Sequence, residues 1–276
     1  MEKEDLRLKN AVRFSGFADT YERARPAVPD APVRMISRYL GAQPELVVDL
    51  GSGTGLSTLT WKGNCARLIG VEPSADMLAV AREKEYGTVS FIQAFADDTG
   101  LPEACADVAV CSQSFHWMEP VSTLAEVNRI LRPGGVFATI DCDWPPVTDW
   151  RAEREYMRLY DLVKRLEREV PEVRDSFVRY PKDEHLANLK RSGYFSYCRE
   201  VFFSNTESCT AERLIGLMLS QGSVQAVAGR RPEALQTGLK RFTDRIHAIF
   251  GGACFEIDFC YRMRIGVKRG NANEDA

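Results

Sequence analysis

The chain has 276 residues, with 36 Lys and Arg against 39 Asp and Glu, a formal net charge of −3, three histidines and 45% apolar residues. That is enough apolar material for a sizeable core, and the charge balance gives no electrostatic reason to expect nucleic acid or an anionic membrane as a partner. No stretch approaches about eighteen consecutive apolar residues, so no membrane span is expected. The charged start Met1-Glu2-Lys3-Glu4-Asp5 lacks the apolar region of a secretory signal. Eight cysteines at 65, 105, 111, 142, 198, 209, 254 and 260 are scattered without a C-x-x-C pair. Neither a metal site nor a disulfide framework is therefore expected, and a reducing cytoplasm is the expected compartment.

The informative run is Val47-Val48-Asp49-Leu50-Gly51-Ser52-Gly53-Thr54-Gly55. An apolar strand pattern ends in an acid, then glycines at alternate positions let the backbone turn sharply and let a ligand approach the peptide plane. Leu56 to Trp61 is expected to open a helix, giving a strand, a glycine turn and a helix start, the nucleotide-binding crevice of an open α/β sheet. The third glycine falls one place earlier than in the dinucleotide pattern G-x-G-x-x-G, and the phosphate loop G-x-x-x-x-G-K-[ST] is absent. The pattern suits a ligand without a phosphate at the turn.

Arg67 to Glu72 reads as a second strand ending in an acid, about twenty residues past the first glycine, where a carboxylate accepts ribose hydroxyls. Pro73-Ser74-Ala75-Asp76-Met77-Leu78 opens a helix with Ser74 as the expected N-cap and Met77, Leu78 and Ala81 inward. Ser90 to Ala94 is a third strand, Phe95-Ala96-Asp97-Asp98 a loop, and Asp107 to Cys111 a fourth strand. A short helix over Leu124 to Leu131 is stopped by Arg132-Pro133-Gly134-Gly135, and Val136 to Ile140 is a fifth strand. Asp149 to Glu169 has the apolar stripe of a long amphipathic helix, and Leu186 to Arg191 is a short helix closed by Gly193. Tyr194 to Phe203 is a sixth strand, with helices following near Ala211–Ser220 and Pro232–Ile249. From Phe255 to Lys268 apolar and polar residues alternate, the period of a strand with one polar face.

Residues ~45–143 resemble a class I S-adenosylmethionine-dependent methyltransferase of the small-domain kind (types 11 and 25). The carriers are VVDLGSGTG at 47–55, GVEPSADML at 70–78, FADD at 95–98 with LP at 101–102, CSQSFHW at 111–117 and NRILRPGG at 128–135, in order and at ordinary spacing. The resemblance implies a Rossmann-like, seven-stranded, mostly parallel sheet with helices on both faces and an antiparallel last strand. It also implies a single domain: N-terminal cap helices over 1–43, a cofactor core over 44–143, a helical lid insertion over 144–192, and strands and helices completing the sheet over 193–270. The implied cofactor is S-adenosylmethionine, with S-adenosylhomocysteine as product.

Carried onto these positions, the resemblance puts Asp49, Gly51, Ser52, Gly53 and Gly55 around the methionine part of the cofactor. Glu72 would hold the ribose, with Pro73 and Met77 beside it, and Ala96 and Asp97 would face the adenine. Relatives often carry Glu where Asp97 stands, and the adjacent Asp98 is an alternative. Cys111 and Ser112 would line the sulfonium end, with His116 at the mouth. Phe14 to Tyr21, with Arg25-Pro26, is similar to a leading helix that folds over the cofactor; Tyr21 is a lid or catalytic candidate and Arg25 a partner for the cofactor carboxylate.

Methyl transfer from a sulfonium needs alignment and exclusion of water more than a catalytic triad or a metal. A hydroxyl or ammonium nucleophile also needs a base, and His116 in Ser114-Phe115-His116-Trp117 is the candidate. A histidine that only bonds its own loop is the competing reading. Trp144, Tyr156, Tyr160, Phe177 and Tyr180 either line an acceptor pocket or pack a helix. The expected acceptor is a small molecule, with tRNA or protein as alternatives, and a cofactor-binding regulatory protein on the same fold as another. Tyr160 and Lys164 imitate a dehydrogenase pair, but the glycine turn of that family is missing.

Overall fold

The computed structural model describes residues 3–12, 22, 24–26 and 28–270. The chain runs α1 (Lys3–Val12), α2 (Asp30–Leu40), β1 (Leu46–Leu50), β2 (Arg67–Val71), α3 (Ala75–Arg82), β3 (Val89–Ile92), β4 (Ala106–Ser112), α4 (Pro120–Ile130) and β5 (Leu131–Cys142). It continues through α5 (Trp150–Glu169), α6 (Pro171–Arg174), α7 (His185–Ser192), β6 (Phe195–Cys209), α8 (Ala211–Leu219), α9 (Gly222–Ala228), α10 (Pro232–Phe250) and β7 (Phe255–Lys268). No described helix is long and apolar enough to cross a membrane.

One seven-stranded sheet has the order β3-β2-β1-β4-β5-β7-β6. β1 pairs in parallel with β2 and β4, β2 with β3, and β4 with β5, while β7 runs antiparallel to β5. The expected fold is thus the observed one. The order reverses between β1 and β4, which makes that gap the topological switch point where such sheets bind ligands. In register, Asp49 lies opposite Gly70 on β2 and Val110 on β4, so the three strands end nearly level. All five residues of β1 are buried, as a central parallel strand covered on both sides requires.

The chain divides into two compact units. A sheet unit comprises Ala27–Cys142, Arg179–Phe203 and Tyr261–Ala276, and a helical unit comprises Met1–Pro26, Asp143–Val178 and Ser204–Cys260. Of the stretch 144–192, the part through Val178 belongs to the helical unit and the remainder to the sheet unit. In the helical unit α5 packs on α9 and α10 through Tyr156, Leu159 and Val163. A Cβ on Gly238 would stand 2.9 Å from Leu162, so glycine permits the close α5–α10 approach. The Tyr156 hydroxyl accepts from Gln221 Nε2 at 3.2 Å.

In the sheet unit Asp107 fastens the starts of three strands. Its Oδ2 accepts from the N–H groups of Glu45 and Leu46 at 2.7 and 2.9 Å, and its Oδ1 from Arg132 at 2.8 Å. At the carboxyl end of α4, Lys268 donates to the carbonyls of Asn128 and Leu131, satisfying two acceptors that the helix leaves open.

Several local expectations are corrected. Leu56 to Trp61 does not form an α-helix; only Thr58–Trp61 forms a short 3-10 turn. Two β-branched threonines and a tryptophan favour the helix weakly, and the hydroxyls of Ser57 and Thr58 are drawn back to Asp49. Ser74 occupies the N-cap of α3, but its hydroxyl caps nothing. α4 begins four residues earlier than its apolar pattern, because Pro120 suits the first turn and the Glu119 carboxylate accepts from Val121 and Ser122 N–H. Arg132-Pro133-Gly134-Gly135 does not precede β5 but lies within it, at a shift in its pairing with β4 between Ala106 and Val108. α9 falls between the two expected helices, in a stretch to which the sequence pattern assigns no element, and buries Val224 and Val227.

Glu126 of α4 steadies the loop after β3. Its Oε1 accepts from Thr99 N and Oγ1 at 3.0 and 2.5 Å, and both its oxygens accept from Arg129. The Arg129 guanidinium foremost holds the Glu126 carboxyl down to about 2 against the opposing effect of burial. A depressed carboxyl stabilises the fold above its unfolded value of 4.5 and loses that contribution as pH falls towards about 2. Thermal melts between pH 6 and 2.5 should therefore show a steeper acid loss in the wild type than in Glu126→Gln. Equal slopes would mean that the pair is not charge-coupled to folding.

Candidate active site

The glycine turn, Glu72, and the Cys111–Trp117 segment lie at the carboxyl ends of β1, β2 and β4. The turn after β1 is held by two bonds to one carbonyl: Gly51 N and Ser52 N donate to Val71 O at 2.8 and 3.1 Å. Gly51, Gly53 and Gly55 all have positive φ, at 70°, 56° and 83°. The reasons for glycine differ along the turn. A Cβ on Gly51 would meet Ser114 Cβ at 2.7 Å and one on Gly55 the Phe91 ring at 2.7 Å, whereas above Gly53 there is open space.

Asp49 and Glu72 end adjacent strands, and both are buried. Asp49 Oδ2 accepts from Ser57 and Thr58 hydroxyls at 2.9 and 2.7 Å, while its Oδ1 is buried without a hydrogen-bond partner. The Ser52 hydroxyl beside it is also buried and unpartnered. Burial pushes the Asp49 carboxyl up to about 6, with the two hydroxyls opposing. Glu72 bridges the two turns: Oε2 accepts from Gly53 N at 2.9 Å and Oε1 from Ser74 N at 2.8 Å. Burial pushes its carboxyl up to about 7, the two N–H bonds oppose, and the Asp49 charge adds to the rise. Each Glu72 oxygen keeps a lone pair for a ligand hydroxyl.

Beside this pair, Pro73 follows Glu72 in sequence and Met77 is buried on α3. Ala96 is buried, and Asp97 Oδ2 accepts from the Ser122 hydroxyl at 2.9 Å. Cys111 and Ser112 are the last residues of β4. Burial pushes the Cys111 thiol well above its ordinary value, so it is an apolar wall rather than a nucleophile. Gln113 then takes φ 58°, a conformation rare outside glycine, and its N–H donates to Ile140 O at 2.8 Å. This turn throws out the loop that carries Ser114, whose hydroxyl donates to Leu50 O at 2.7 Å, and His116, whose carbonyl accepts from Tyr180 N at 2.8 Å.

His116 is buried in the sheet unit. Burial first, then the charge of Lys182, pushes its imidazole down to about 3, with Asp141 acting in the opposite direction. It is neutral throughout the physiological range. Of the other expected residues, Arg25 belongs to the helical unit, where it donates to Ser220 Oγ and O at 2.9 and 3.1 Å and lies over the Trp144 ring, and Tyr21 is outside the described residues.

Sequence reasoning missed the polar cluster around Asp141. Its Oδ1 accepts from Lys182 at 3.0 Å, and its Oδ2 from Arg264 at 2.8 Å and His185 Nδ1 at 3.1 Å. Arg264 also donates to Glu200 at 2.6 Å. In the alternating pattern of β7 Arg264 falls on the polar face, yet it is only 1% exposed because these two carboxylates receive it. No local pattern pairs residues 123 positions apart.

Comparison with known proteins decides the family. The methyltransferase-domain family model matches residues 48–139. Trans-aconitate 2-methyltransferase of Acidovorax ebreus is 30% identical over 249 residues, covering 89% of this chain and 84% of that protein. The chain belongs to the class I S-adenosylmethionine-dependent methyltransferases. An uncharacterized methyltransferase of Mycobacterium tuberculosis is 32% identical over 125 residues, 45% of this chain. The chain spans about half the length of that relative, 50%. A solved structure from Anaeromyxobacter dehalogenans described as a type II methyltransferase shares the fold, with a TM-score of 0.68 and 24% identity over 90% of this chain and 99% of that one. S-adenosylmethionine is the cofactor of this methyltransferase family, and the turn fits it: Gly53 has open space where a Cβ would stand, and Asp49 Oδ1 and the Ser52 hydroxyl are buried polar atoms without a hydrogen-bond partner.

The raised carboxyls have a signed consequence. A group raised on folding stabilises fully below its unfolded value, here 4.5 for Glu72, and that contribution is lost as pH rises through about 7. The ligand-free wild type should therefore lose melting temperature between pH 4.5 and 7 more steeply than Glu72→Gln; parallel curves would contradict the raised carboxyl. Gly51→Ala should destabilise by about 1–3 kcal/mol in urea denaturation, through positive φ and the clash with Ser114.

Proposed function

We propose that this methyltransferase moves a methyl group from S-adenosylmethionine to an oxygen, nitrogen or carbon nucleophile of a small-molecule acceptor. The observation that carries the reading is the pair of buried carboxylates at the ends of β1 and β2, Asp49 and Glu72, set about a glycine turn and, among the described residues, paired with no cation. A cationic nucleoside completes that arrangement. Asp49 Oδ1 and the turn from Gly51 through Ser52 and Gly53 to Gly55 take the methionine end, and Glu72, beside Pro73 and Met77, takes the ribose hydroxyls. Ala96 and Asp97 face the adenine, and Cys111, Ser112 and His116 stand at the sulfonium end.

When bound, S-adenosylmethionine supplies an electrophilic methyl and its own leaving group. The chain's share is orientation and exclusion of water, which together contribute several kcal/mol. An ionised carboxylate needs no base, whereas a hydroxyl or ammonium acceptor needs one, and His116 is the residue proposed for it. The breadth of the likeness to trans-aconitate 2-methyltransferase favours a small polar acceptor, and trans-aconitate is the first to assay. Eight free cysteines accord with a cytoplasmic enzyme.

Isothermal titration with S-adenosylhomocysteine should give micromolar binding, with none to NADH or NADPH. Glu72→Ala should weaken it by about 1–3 kcal/mol through lost charge-assisted hydrogen bonds; unchanged affinity removes Glu72 from the site. With a hydroxyl or amine acceptor, His116→Ala should lower turnover about 10²-fold, and undiminished turnover would refute the base assignment.

A further inference from the structure

The Asp141 cluster offers more than structural charge pairing, because its partners leave one acceptor position open. An ionised carboxylate has about four lone-pair sites, two on each oxygen. Oδ2 is filled by Arg264 and His185, and Oδ1 holds Lys182, so one site on Oδ1 remains. The next polar atom facing Oδ1 is His116 Nδ1, at 3.6 Å, and this nitrogen is buried with no hydrogen-bond partner. A lone pair on Nδ1 turned towards a carboxylate is repelled, and an N–H turned the same way is attracted.

We infer that Asp141 is a positioning residue that fixes His116 in its Nδ1–H tautomer, leaving the Nε2 lone pair as the proton acceptor of the site. The role assigned to Nε2 rests on the proposed methyl transfer. As the bond from methyl to the acceptor heteroatom forms and the methyl–sulfur pair returns to sulfur, the acceptor's proton passes to Nε2, and from there to solvent.

Each group facing His116 fits this assignment. Asp141 on β5 attracts the Nδ1 proton, and burial and two further cations do not neutralise it: although burial opposes the charge, Lys182 foremost holds its carboxyl well below the ordinary value. Lys182 donates to Asp141 Oδ1 at 3.0 Å and to Gln113 Oε1 at 3.1 Å; burial first, then the Lys182 charge, pushes the His116 imidazole down. The segment carrying Lys182 is anchored to the His116 loop by the Tyr180 N–H bond and by Arg179 over the Trp117 ring. The cluster is therefore a held geometry, and a shortening of well under an ångström from 3.6 Å makes the Nδ1–H bond complete.

The chain has only three histidines, 116, 185 and 247, so the full-length protein labelled with 15N-histidine gives three resolvable imidazoles, assigned by the signals missing in His116→Gln and His247→Gln. The expected result is a neutral His116 with Nδ1 protonated and Nε2 unprotonated from pH 8 to 5. In Asp141→Asn the Nε2–H tautomer should appear. Because Asp141→Asn also strips a partner from buried Arg264, the wild-type tautomer decides the matter if that variant does not fold. An Nε2–H tautomer in the wild type would overturn the inference. S-adenosylhomocysteine titrated into the same samples separates the two readings: loss of binding in the wild type would defeat the proposed function while the tautomer result stands.

Discussion

Burial of two acids, Asp49 and Glu72, that no described cation pairs is the constraint around which the switch point of this sheet is arranged. Asp49 and Glu72 end strands that lie side by side, and neither has a basic partner among the described groups that shift it. Two hydroxyls and two backbone N–H groups carry the load instead. That compensation is partial, and each carboxyl is raised. Burying an ionised group without full pairing is costly, so the ligand-free edge is less stable than an apolar one would be. The cost is one a cationic ligand relieves.

A third buried acid, Asp141, sits at the end of β5 and is handled in the opposite way. Arg264 and Lys182 bring full charges to it, and it is held ionised. The same sheet edge thus carries two chemistries: carboxyls near neutrality at the switch point, and a fixed anion two strands away. The difference comes from strand direction. β7 runs antiparallel to β5, so a residue from the middle of the last strand, Arg264, stands opposite Thr139 and reaches the end of β5.

The glycine turn shows how close approach, rather than flexibility alone, selects residues. Gly51 and Gly55 are confined by Ser114 and Phe91, and Gly70 on β2 faces the same Phe91 ring with Ser52 nearby. The turn is therefore clamped from β3 and from the loop after β4, and Glu72 ties it to the start of α3. Family membership follows from this block of residues together with a likeness spanning most of the chain.

By itself the sequence determined the strands, their order of types and the cofactor motif, because these depend on short-range periodicity and on glycines at fixed offsets. The run ending at Asp49, the acid at Glu72 and the alternation of β7 are all legible within windows of a dozen residues. Boundaries failed where side chains competed with the backbone, as at Ser57 and Thr58, or where a cap extended a helix, as at Glu119. What only the tertiary structure decided was charge placement across the sheet. Asp141, Lys182, His185 and Arg264 read separately as a strand-end acid, a loop lysine, a helix-start histidine and a solvent-face arginine. Their convergence depends on an antiparallel register and on a segment anchored through Tyr180 to the His116 loop. It also reverses the simple reading of His116: a histidine beside an acid is ordinarily made easier to protonate, but here burial and Lys182 outweigh Asp141, and the ring stays neutral.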